Sequence, residues 1–362
     1  MPNLAWLALP LAAFAASRFV GLVAAYMVRF VLPGTGLLFV MTRWDATWYL
    51  MIAERGYPRH LPAGDVGTPL GFFPLYPLLI RGVEEITGIG YKASAVTVNT
   101  AAAAAAAVLV WRLARDVFDA ETADRAALLF CFFPGSYALT LAYTEGIFIA
   151  CSAACLLLLH HRRFWWAALA GGIGSAARPT GYVLALACAF AVFMHWRETR
   201  DWKPLPTPVL AAGGLIAFLV FLHVHTGDAF AWQRAQERGW GQHLGWSGSI
   251  PDRVIDYIAS PVNELNVFVP ILTAVVLVPL LWNLVRVRPP GAWLVFVGAS
   301  LVPSLFSTSV AFTPRHLFSL FPLVIAAAHT VRGVAFSALL ALCAGTFAFF
   351  VFVMGGTTGV TP

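Results

Sequence analysis

The first candidate for chemistry is Asp45, an acidic residue set among aromatic residues. It lies in the segment Arg-Trp-Asp-Ala-Thr-Trp-Tyr-Leu, residues 43–50, soon after the first apolar run. Trp and Tyr are favoured where a membrane meets water, and the spacing of Trp44 and Trp48 predicts a short amphipathic helix lying on the membrane. A partly desolvated carboxylate in such a place suits general-base catalysis. The simpler alternative is that Arg43 and Asp45 only decorate that helix.

Two further segments carry aromatic and amide side chains. Residues 71–77 read Gly-Phe-Phe-Pro-Leu-Tyr-Pro, and the two prolines exclude a regular helix interior. Aromatic rings beside a rigid kink could wall a substrate groove or stack on a sugar ring, or could simply be structural residues of an interfacial segment. The stretch 225–264 contains Gln236 and Trp240 among several other Gln and Trp residues. That composition suits sugar recognition and a plain interfacial helix equally well.

Three charged positions lie at predicted turns between apolar runs. Glu145 has no basic neighbour in the sequence, and a carboxylate at membrane level is costly enough to indicate function. Arg178 and the pair Arg315-His316 could hold a phosphate or a carboxylate through bidentate hydrogen bonds. A structural ion pair between Glu145 and Arg178 is the alternative.

Composition sets the class of protein that must position these residues. The chain has 362 residues, of which 60% are hydrophobic and 11% are charged, against about 25% charged in soluble domains. The apolar residues run in long blocks and do not alternate, which excludes an outer-membrane barrel. The net charge of +6 reflects basic residues at cytoplasmic helix ends and not nucleic-acid binding. The chain is therefore predicted to be an all-α polytopic membrane protein.

The apolar runs predict about eleven transmembrane helices. The first, near 4–32, is expected to be a retained span because no basic residue precedes it. The others lie near 93–111, 126–140, 145–159, 164–178, 180–195, 208–224, 265–283, 292–307, 315–330 and 333–353. Several of these runs are cramped, and we expect short or broken helices at 126–159 and 164–195.

If successive apolar runs cross the membrane in opposite directions, every compact basic cluster lies on the same side. The positive-inside rule identifies that side as cytoplasmic. The long loops 33–92 and 225–264 then lie together on the opposite side, with turns at 133–145, 177–181 and 307–315. Six of the seventeen acidic residues belong to cytoplasmic loops rich in Arg and Lys. Of the external ones, Asp45 and Glu145 lie beside the membrane. We expect one membrane domain, residues 1–362, with its site on the external face. The basic clusters are Arg112/Arg115/Arg125, Arg162/Arg163, Arg197/Arg200/Lys203, Arg286/Arg288 and Arg332.

At these residues the sequence resembles the PIG-V family of GPI mannosyltransferases and their bacterial relatives, within the glycosyltransferase C (GT-C) superfamily. The motifs follow the family's order across residues 40–185, and the last third matches more loosely through Gln236, Trp240 and Arg315-His316. Thr144, Pro179 and Thr180 depart from the Ser, Ser and Asn of eukaryotic members. The matching pieces are residues 43–45 with Tyr49, then 52–57, 72–77, 129–136, 143–145 and 177–181.

The resemblance implies a GT-C-like bundle with a long first external loop that carries short interfacial helices. It also implies an inverting transfer of a sugar from a polyprenyl-phosphate donor, and mannose is the expected sugar. Asp45 would be the catalytic general base. Arg178 and Arg315, supported by His316 and Arg43, would neutralise the leaving phosphate, and Glu145 would orient the acceptor or hold Arg178. The remaining predicted substrate-binding residues are Trp44, Tyr49, Phe73, Tyr76, Gln236 and Trp240.

The expected partners are the lipid-linked donor, a lipid, glycolipid or glycoprotein acceptor, and membrane lipids, with no nucleic acid. No cofactor and no set of metal ligands is predicted. The expected location is a bacterial plasma membrane, with the site on the extracytoplasmic side. Two other classes compete with this interpretation: a lipid or small-molecule transporter, and a non-catalytic scaffold of an envelope-synthesis complex. A transporter predicts polar residues at mid-membrane on several helices, whereas Arg18 is the clearest charged residue inside a span.

Overall fold

A computed structural model describes residues 5–259, 265–308 and 313–356. Glu264 and the middle of the predicted 307–315 turn lie outside the described residues. Within these ranges the chain is helical, and extended pairing is limited to one bridge between Leu244 and Ser307. In chain order the α-helices are α1 (Ala8–Met27), α2 (Leu37–Met41), α3 (Asp45–Arg55), α4 (Leu75–Thr87), α5 (Tyr91–Val117), α6 (Ala120–Phe132), α7 (Glu145–His160), α8 (Phe164–Ser175), α9 (Tyr182–Thr199), α10 (Thr207–Ala211), α11 (Gly213–Thr226), α12 (Ala231–Trp240), α13 (Ile250–Ala259), α14 (Leu265–Val287), α15 (Gly291–Phe306), α16 (Pro314–Ser319), α17 (Phe321–Thr330) and α18 (Gly333–Gly356). Short 3-10 helices occur at Ala5–Leu7, Val28–Phe30, Pro69–Gly71, Pro134–Leu139 and Pro179–Gly181.

The described helices make this an integral membrane protein. Five helical segments are long and apolar enough to cross a membrane, and α11 with α12 forms a further candidate bent by 82°. The predicted interfacial helix in the first long loop is α3. The five long segments are Ala8–Phe30, Tyr91–Val117, Pro179–Thr199, Val267–Val287 and Gly333–Gly356.

Fewer of the described helices are long enough to cross a membrane than the eleven spans predicted from the sequence. A helix needs about 20 residues to cross the hydrocarbon core, whereas α6 has 13 residues, α8 has 12 and α17 has 10. α6 and α8 fall at the runs predicted to be cramped, whereas α17 lies in the 315–330 run, which was expected to be a full span. The bundle largely buries α6 and α17, and the buried 3-10 helix Pro134–Leu139 follows α6, whereas α8 buries only one side and leaves Trp165 and Trp166 exposed. The exact number of spans stays a prediction.

Small and polar residues shape the core around α5 and α1. Ala103, Ala106 and Ala107 are fully buried in α5, where small side chains let neighbouring helices approach closely. Arg18 of α1 is also buried, and its guanidinium donates to the Thr140 hydroxyl at 2.7 Å and to the Ser136 carbonyl at 3.2 Å. The carbonyls and hydroxyls of the 3-10 segment thereby satisfy a charge inside the bundle.

Contacts between helix ends divide the bundle into two faces, as the alternation of basic clusters predicts. At one face, His161 pairs with Asp116 at 2.8 Å and Arg162 pairs with Glu198 at 2.7 Å, which joins the ends of α5, α7 and α9. Arg125 donates to the Ala328 carbonyl near the end of α17. The opposite face gathers the starts of α3, α7 and α16 and the end of α18. We call it the site face, because Asp45, Glu145, Arg178 and Arg315 all lie there.

Candidate active site

A cavity of about 550 Å3 opens on the site face. Its lining comes from residues far apart in the sequence: α3, the 69–73 segment, the turn before α9, the end of α12, the end of α15 and the start of α16. No single loop could build this cavity. Its shape depends on the packing of the helix ends that carry those segments.

Asp45 and Arg315 form the central ion pair of the cavity. An Nη1–H of Arg315 donates to Oδ2 of Asp45 at 2.8 Å, and both residues line the cavity. The Asp45 side chain is 32% exposed, whereas that of Arg315 is 11% exposed. Charge-assisted bonds of this kind are among the stronger hydrogen bonds in proteins. Part of the Asp45 carboxylate still faces the cavity.

Glu145 links two arginines behind the cavity wall. Its Oε1 accepts from Arg178 at 2.8 Å and lies 3.8 Å from the guanidinium of Arg315. The Glu145 side chain is only 1% exposed, so both cations satisfy it in a buried setting. The predicted ion pair between Glu145 and Arg178 is thus present, and Arg178 itself reaches the cavity.

These charges determine the protonation of their neighbours. Burial lowers the pKa of Arg315, but the carboxylates of Asp45 and Glu145 outweigh burial and hold that pKa well above its ordinary value. Burial, followed by the charges of Arg315 and Arg178, holds the pKa of His316 well below its ordinary value. His316 is therefore neutral. Its Nδ1 accepts from the Thr313 backbone N–H at 3.2 Å, which leaves the proton on Nε2.

The turn that positions Asp45 is strained. Trp44 has φ 58° and ψ −126°, a conformation that favours glycine, and Asp45 follows as the first residue of α3. Such a conformation costs about 1–3 kcal/mol and persists only where surrounding contacts fix it. Here the indole N–H of Trp44 donates to the Met354 carbonyl at 2.8 Å, and the Arg43 guanidinium donates to the Gly355 carbonyl.

The end of α18 fits closely against this turn. A side chain at Gly355 would place its Cβ 2.6 Å from Val40 and 2.8 Å from Val28. The last turn of a helix has main-chain carbonyls without intrahelical partners, and two of them are the acceptors for residues 43 and 44. A bare glycine therefore allows α18 to hold the turn that carries Asp45.

Aromatic rings form one wall of the cavity. Trp48 stacks on Phe72 with ring centroids 5.8 Å apart, and Trp240 meets both rings edge-on. Tyr49 packs edge-on against Phe72 at 5.2 Å, and its pKa is raised by burial and by the charge of Asp45. Gln236 donates from its amide to the Gly71 carbonyl at 2.8 Å, which joins α12 to this wall.

Most of the residues predicted from the sequence line this cavity. Phe73 does so while packing on Phe218 and remaining only 1% exposed. The predicted residues that line it are Trp44, Asp45, Tyr49, Phe73, Arg178, Gln236, Trp240, Arg315 and His316.

Three predicted substrate-binding residues lie elsewhere. Tyr76 is fully buried and donates to the Ala95 carbonyl at 2.8 Å, because its position in α4 turns it toward α5. Arg43 bonds to the end of α18 and lines a different groove. Glu145 lies behind the arginines, so its position corresponds to holding Arg178 and not to contacting the acceptor.

Several lining residues were not predicted individually as site residues. Trp48 and Phe72 adjoin predicted residues, and their aromatic character was a usable signal. Ser304 and Ser307 come from the end of α15, where nothing in the local sequence distinguishes them from ordinary helix-end serines. Thr180 and Gln242 complete the polar lining.

Known proteins resemble this chain in sequence and in fold. Residues 68–225 match a family described as dolichyl-phosphate-mannose-protein mannosyltransferase. The GPI mannosyltransferase 2 of Drosophila melanogaster is 32% identical over 118 residues, which cover 30% of this chain and 25% of that protein. The chain therefore spans only a small part of the length of this curated relative.

Two solved structures share the fold over most of the chain. ArnT from Cupriavidus metallidurans, bound to undecaprenyl phosphate, has a TM-score of 0.57 and 15% identity, with 90% of this chain and 61% of that one covered. The oligosaccharyltransferase of Archaeoglobus fulgidus has a TM-score of 0.52 and 15% identity, with 96% and 56% covered. The resemblance predicted from the motifs is thus supported: part of the chain is similar in sequence to mannosyltransferases, and most of it shares its fold with these two solved structures.

Proposed function

We propose that the chain is an inverting glycosyltransferase that moves mannose from a polyprenyl-phosphate donor to an acceptor at the extracytoplasmic face of a bacterial plasma membrane. One observation carries this proposal. An anionic carboxylate, Asp45, opens on the same cavity as two arginines, Arg178 and Arg315, at the face where the external loops meet.

The proposed reaction uses Asp45 as the general base. The acceptor hydroxyl attacks the anomeric carbon of the donor sugar while its proton passes to the Asp45 carboxylate. The bond between the anomeric carbon and the lipid phosphate breaks, and the phosphate leaves with the electron pair. Attack from the side opposite to the leaving group inverts the anomeric centre. Proton removal by a positioned base contributes about 10²–10⁴-fold to the rate.

The two arginines would stabilise the leaving phosphate. Cations fixed at the place where charge develops stabilise a transition state without reorganising. Glu145 holds Arg178 at 2.8 Å and so fixes the direction of its guanidinium. Arg315 donates to the Asp45 carboxylate at 2.8 Å. A phosphate bound at Arg315 would compete for that guanidinium and would leave Asp45 free to accept the proton of the acceptor.

The relatives support the chemistry of this donor. The matched family is named for dolichyl-phosphate-mannose, and ArnT is described with undecaprenyl phosphate bound. The aromatic wall of Trp48, Phe72 and Trp240 offers apolar faces for sugar rings, and Gln236 and Gln242 supply amides. The acceptor classes that fit are a lipid, a glycolipid or a glycoprotein.

The test is transfer of radiolabelled mannose by the purified protein. The protein is incubated with polyprenyl-phosphate mannose and with membrane lipids, and parallel reactions contain a nucleotide-linked mannose. We expect labelled product only from the polyprenyl-phosphate donor, with the anomeric configuration inverted. Transfer from the nucleotide donor alone, or retention of configuration, would overturn the proposal.

A further inference from the structure

A second cavity lies on the other side of the first turn of α3. It has a volume of about 500 Å3, and we call it the lateral groove. Trp44 and Thr47 line both cavities. Beyond them, the active-site cavity takes Trp48 and Tyr49 from α3, whereas the lateral groove takes a different face of the same helix. The residues that define the groove here are Phe39, Leu50, Met51, Glu54, Arg55 and Lys92.

The lateral groove is positively charged. Arg43, Arg55 and Lys92 line it, against a single carboxylate, Glu54. Arg55 and Glu54 approach to 3.6 Å, but their side chains are 76% and 54% exposed, so water screens this pair. Lys92 forms no ion pair within the described part of the chain. The groove can therefore accept an anion at little cost in broken contacts.

The groove lies at the level where the bundle enters the membrane. The span that contains α1 ends at Phe30, and the span of α5 begins at Tyr91, one residue before Lys92. Phe39 and Met51 are 48% and 37% exposed on the same side of the molecule. A cationic rim above exposed apolar side chains matches the chemistry of a lipid, which carries a phosphate above hydrocarbon.

We propose that the lateral groove binds the phosphate-bearing headgroup of a membrane lipid, and that this lipid carries the acceptor hydroxyl. Binding in the groove stands on the geometry above, whereas the acceptor role rests on the proposed function. Arg55 and Lys92 contact the phosphate, and Leu50 and Met51 contact the first carbons of the chains. The polar part of the headgroup extends over Thr47 toward Asp45.

Each cavity has its own cations, and their positions indicate which substrate each cavity binds. Arg178 and Arg315 lie in the active-site cavity, where the donor phosphate must leave. The cations of the groove lie across the turn that carries Asp45, and Trp44 and Thr47 of that turn line both cavities. A protein acceptor would need neither the second cationic site nor its apolar floor. Among the acceptor classes, the groove therefore favours an anionic lipid.

Binding of lipid can be measured without turnover. The full chain, purified in a neutral detergent, is titrated with phosphatidylglycerol and with phosphatidylcholine of identical acyl chains, and bound lipid is counted by native mass spectrometry. We expect the wild type to prefer phosphatidylglycerol. Because each interfacial cation contributes roughly a factor of five, the double variant Arg55→Gln/Lys92→Gln should bind phosphatidylglycerol about thirtyfold more weakly.

A matched control removes the same charge elsewhere on the site face. Arg59 and Arg238 are exposed and do not line the groove, so Arg59→Gln/Arg238→Gln should keep the preference and the transfer activity. An equal loss in this control, or no preference in the wild type, would overturn the site. Displacement of the lipid by millimolar inorganic phosphate would identify a free-phosphate site and overturn the lipid assignment. Unfolding temperatures measured without lipid show whether each variant folds.

The acceptor role has its own readout. In the transfer assay, Arg55→Gln/Lys92→Gln should raise the KM for the lipid acceptor while the KM for the polyprenyl-phosphate donor stays the same. A raised donor KM would reverse the assignment of the two lipids. If no transfer occurs with the wild type, the proposed function fails while the binding experiment still decides whether the groove holds an anionic lipid.

Discussion

The charges of the active site depend on a carboxylate that does not line the cavity. Glu145 is buried between Arg178 and Arg315 and satisfies part of the charge of each. Without it, Arg178 would lose its carboxylate partner, and Arg315 would keep only Asp45. Asp45 differs, because a third of its side chain is exposed and water can replace part of what Arg315 supplies.

Because of this difference, we expect replacement of Glu145 to reduce mainly stability and replacement of Asp45 to reduce mainly activity. Glu145→Gln should lower the free energy of unfolding by about 3 kcal/mol, because it leaves the largely buried Arg178 without its carboxylate partner. Asp45→Asn should lower it by less than about 1 kcal/mol, because Asp45 is in contact with water and Arg315 keeps Glu145 at 3.8 Å. Denaturant unfolding in detergent measures both, with the exposed Glu237→Gln as the control. Equal stability of Glu145→Gln and the control would contradict a buried role for Glu145.

The charged residues of the site could be predicted from the sequence because charges are scarce in this chain. Asp45, Arg178 and Arg315 stood out for that reason, and all three line the cavity. Their partners could not be predicted, since Asp45 and Arg315 are 270 residues apart. Aromatic residues are common here, so the sequence could not separate Trp48, which lines the cavity, from Tyr76, which is buried against α5.

Among the helices, the C-terminal end of α18 fixes the turn that carries Asp45 at the start of α3. The indole of Trp44 and the guanidinium of Arg43 bond to main-chain carbonyls at the end of α18. Main-chain acceptors leave no mark in the sequence beyond the glycines at the helix end. This contact was therefore beyond prediction, although the helix α3 that it positions was not.

Crowding the end of α18 should misplace Asp45. Gly355→Val would push against Val28 and Val40, and a shift of about 1 Å at a reacting group can cost about a hundredfold in rate. Gly345→Val is the matched control, because a Cβ at Gly345 meets nothing within 4 Å. The measurement is kcat for mannose transfer beside the unfolding temperature of each variant. Equal activity of the two variants would exclude positioning by α18.

Removing only the indole bond should have a smaller effect. Trp44→Phe keeps an aromatic ring but loses the donor to the Met354 carbonyl, and one such bond contributes about 1 kcal/mol. We expect kcat to fall about fivefold with little change in KM for the donor. A change confined to KM would show that Trp44 acts through substrate contact and not through the turn.

At the scale of the molecule, two faces with different chemistry follow from the order of the helices. The basic clusters and their ion pairs lie at one face, and the cavity lies at the other. The alternation of charge along the sequence was enough to predict this division. The number of spans could not be predicted in the same way. A helix as short as α8 gives an apolar run in the sequence, but its 12 residues are too few to cross a membrane.

The division predicts the orientation of the protein. In intact cells, a membrane-impermeant maleimide should label Arg59→Cys on the site face and should leave Arg200→Cys unlabelled until the membrane is permeabilised. Wild-type protein gives the background of the five native cysteines. Labelling of Arg200→Cys from outside would invert the topology and place the cavity at the cytoplasm.

Mannose transfer by Asp45→Asn under single-turnover conditions tests most directly whether Asp45 is the general base. The variant keeps the size of the side chain and loses the anionic oxygen that faces the cavity. We expect transfer to fall by about 10³-fold or more while the unfolding temperature stays near that of the wild type. Asp65→Asn, an exposed acid of the same loop, should transfer at the wild-type rate. Wild-type transfer by Asp45→Asn would contradict the assignment of Asp45 as the base.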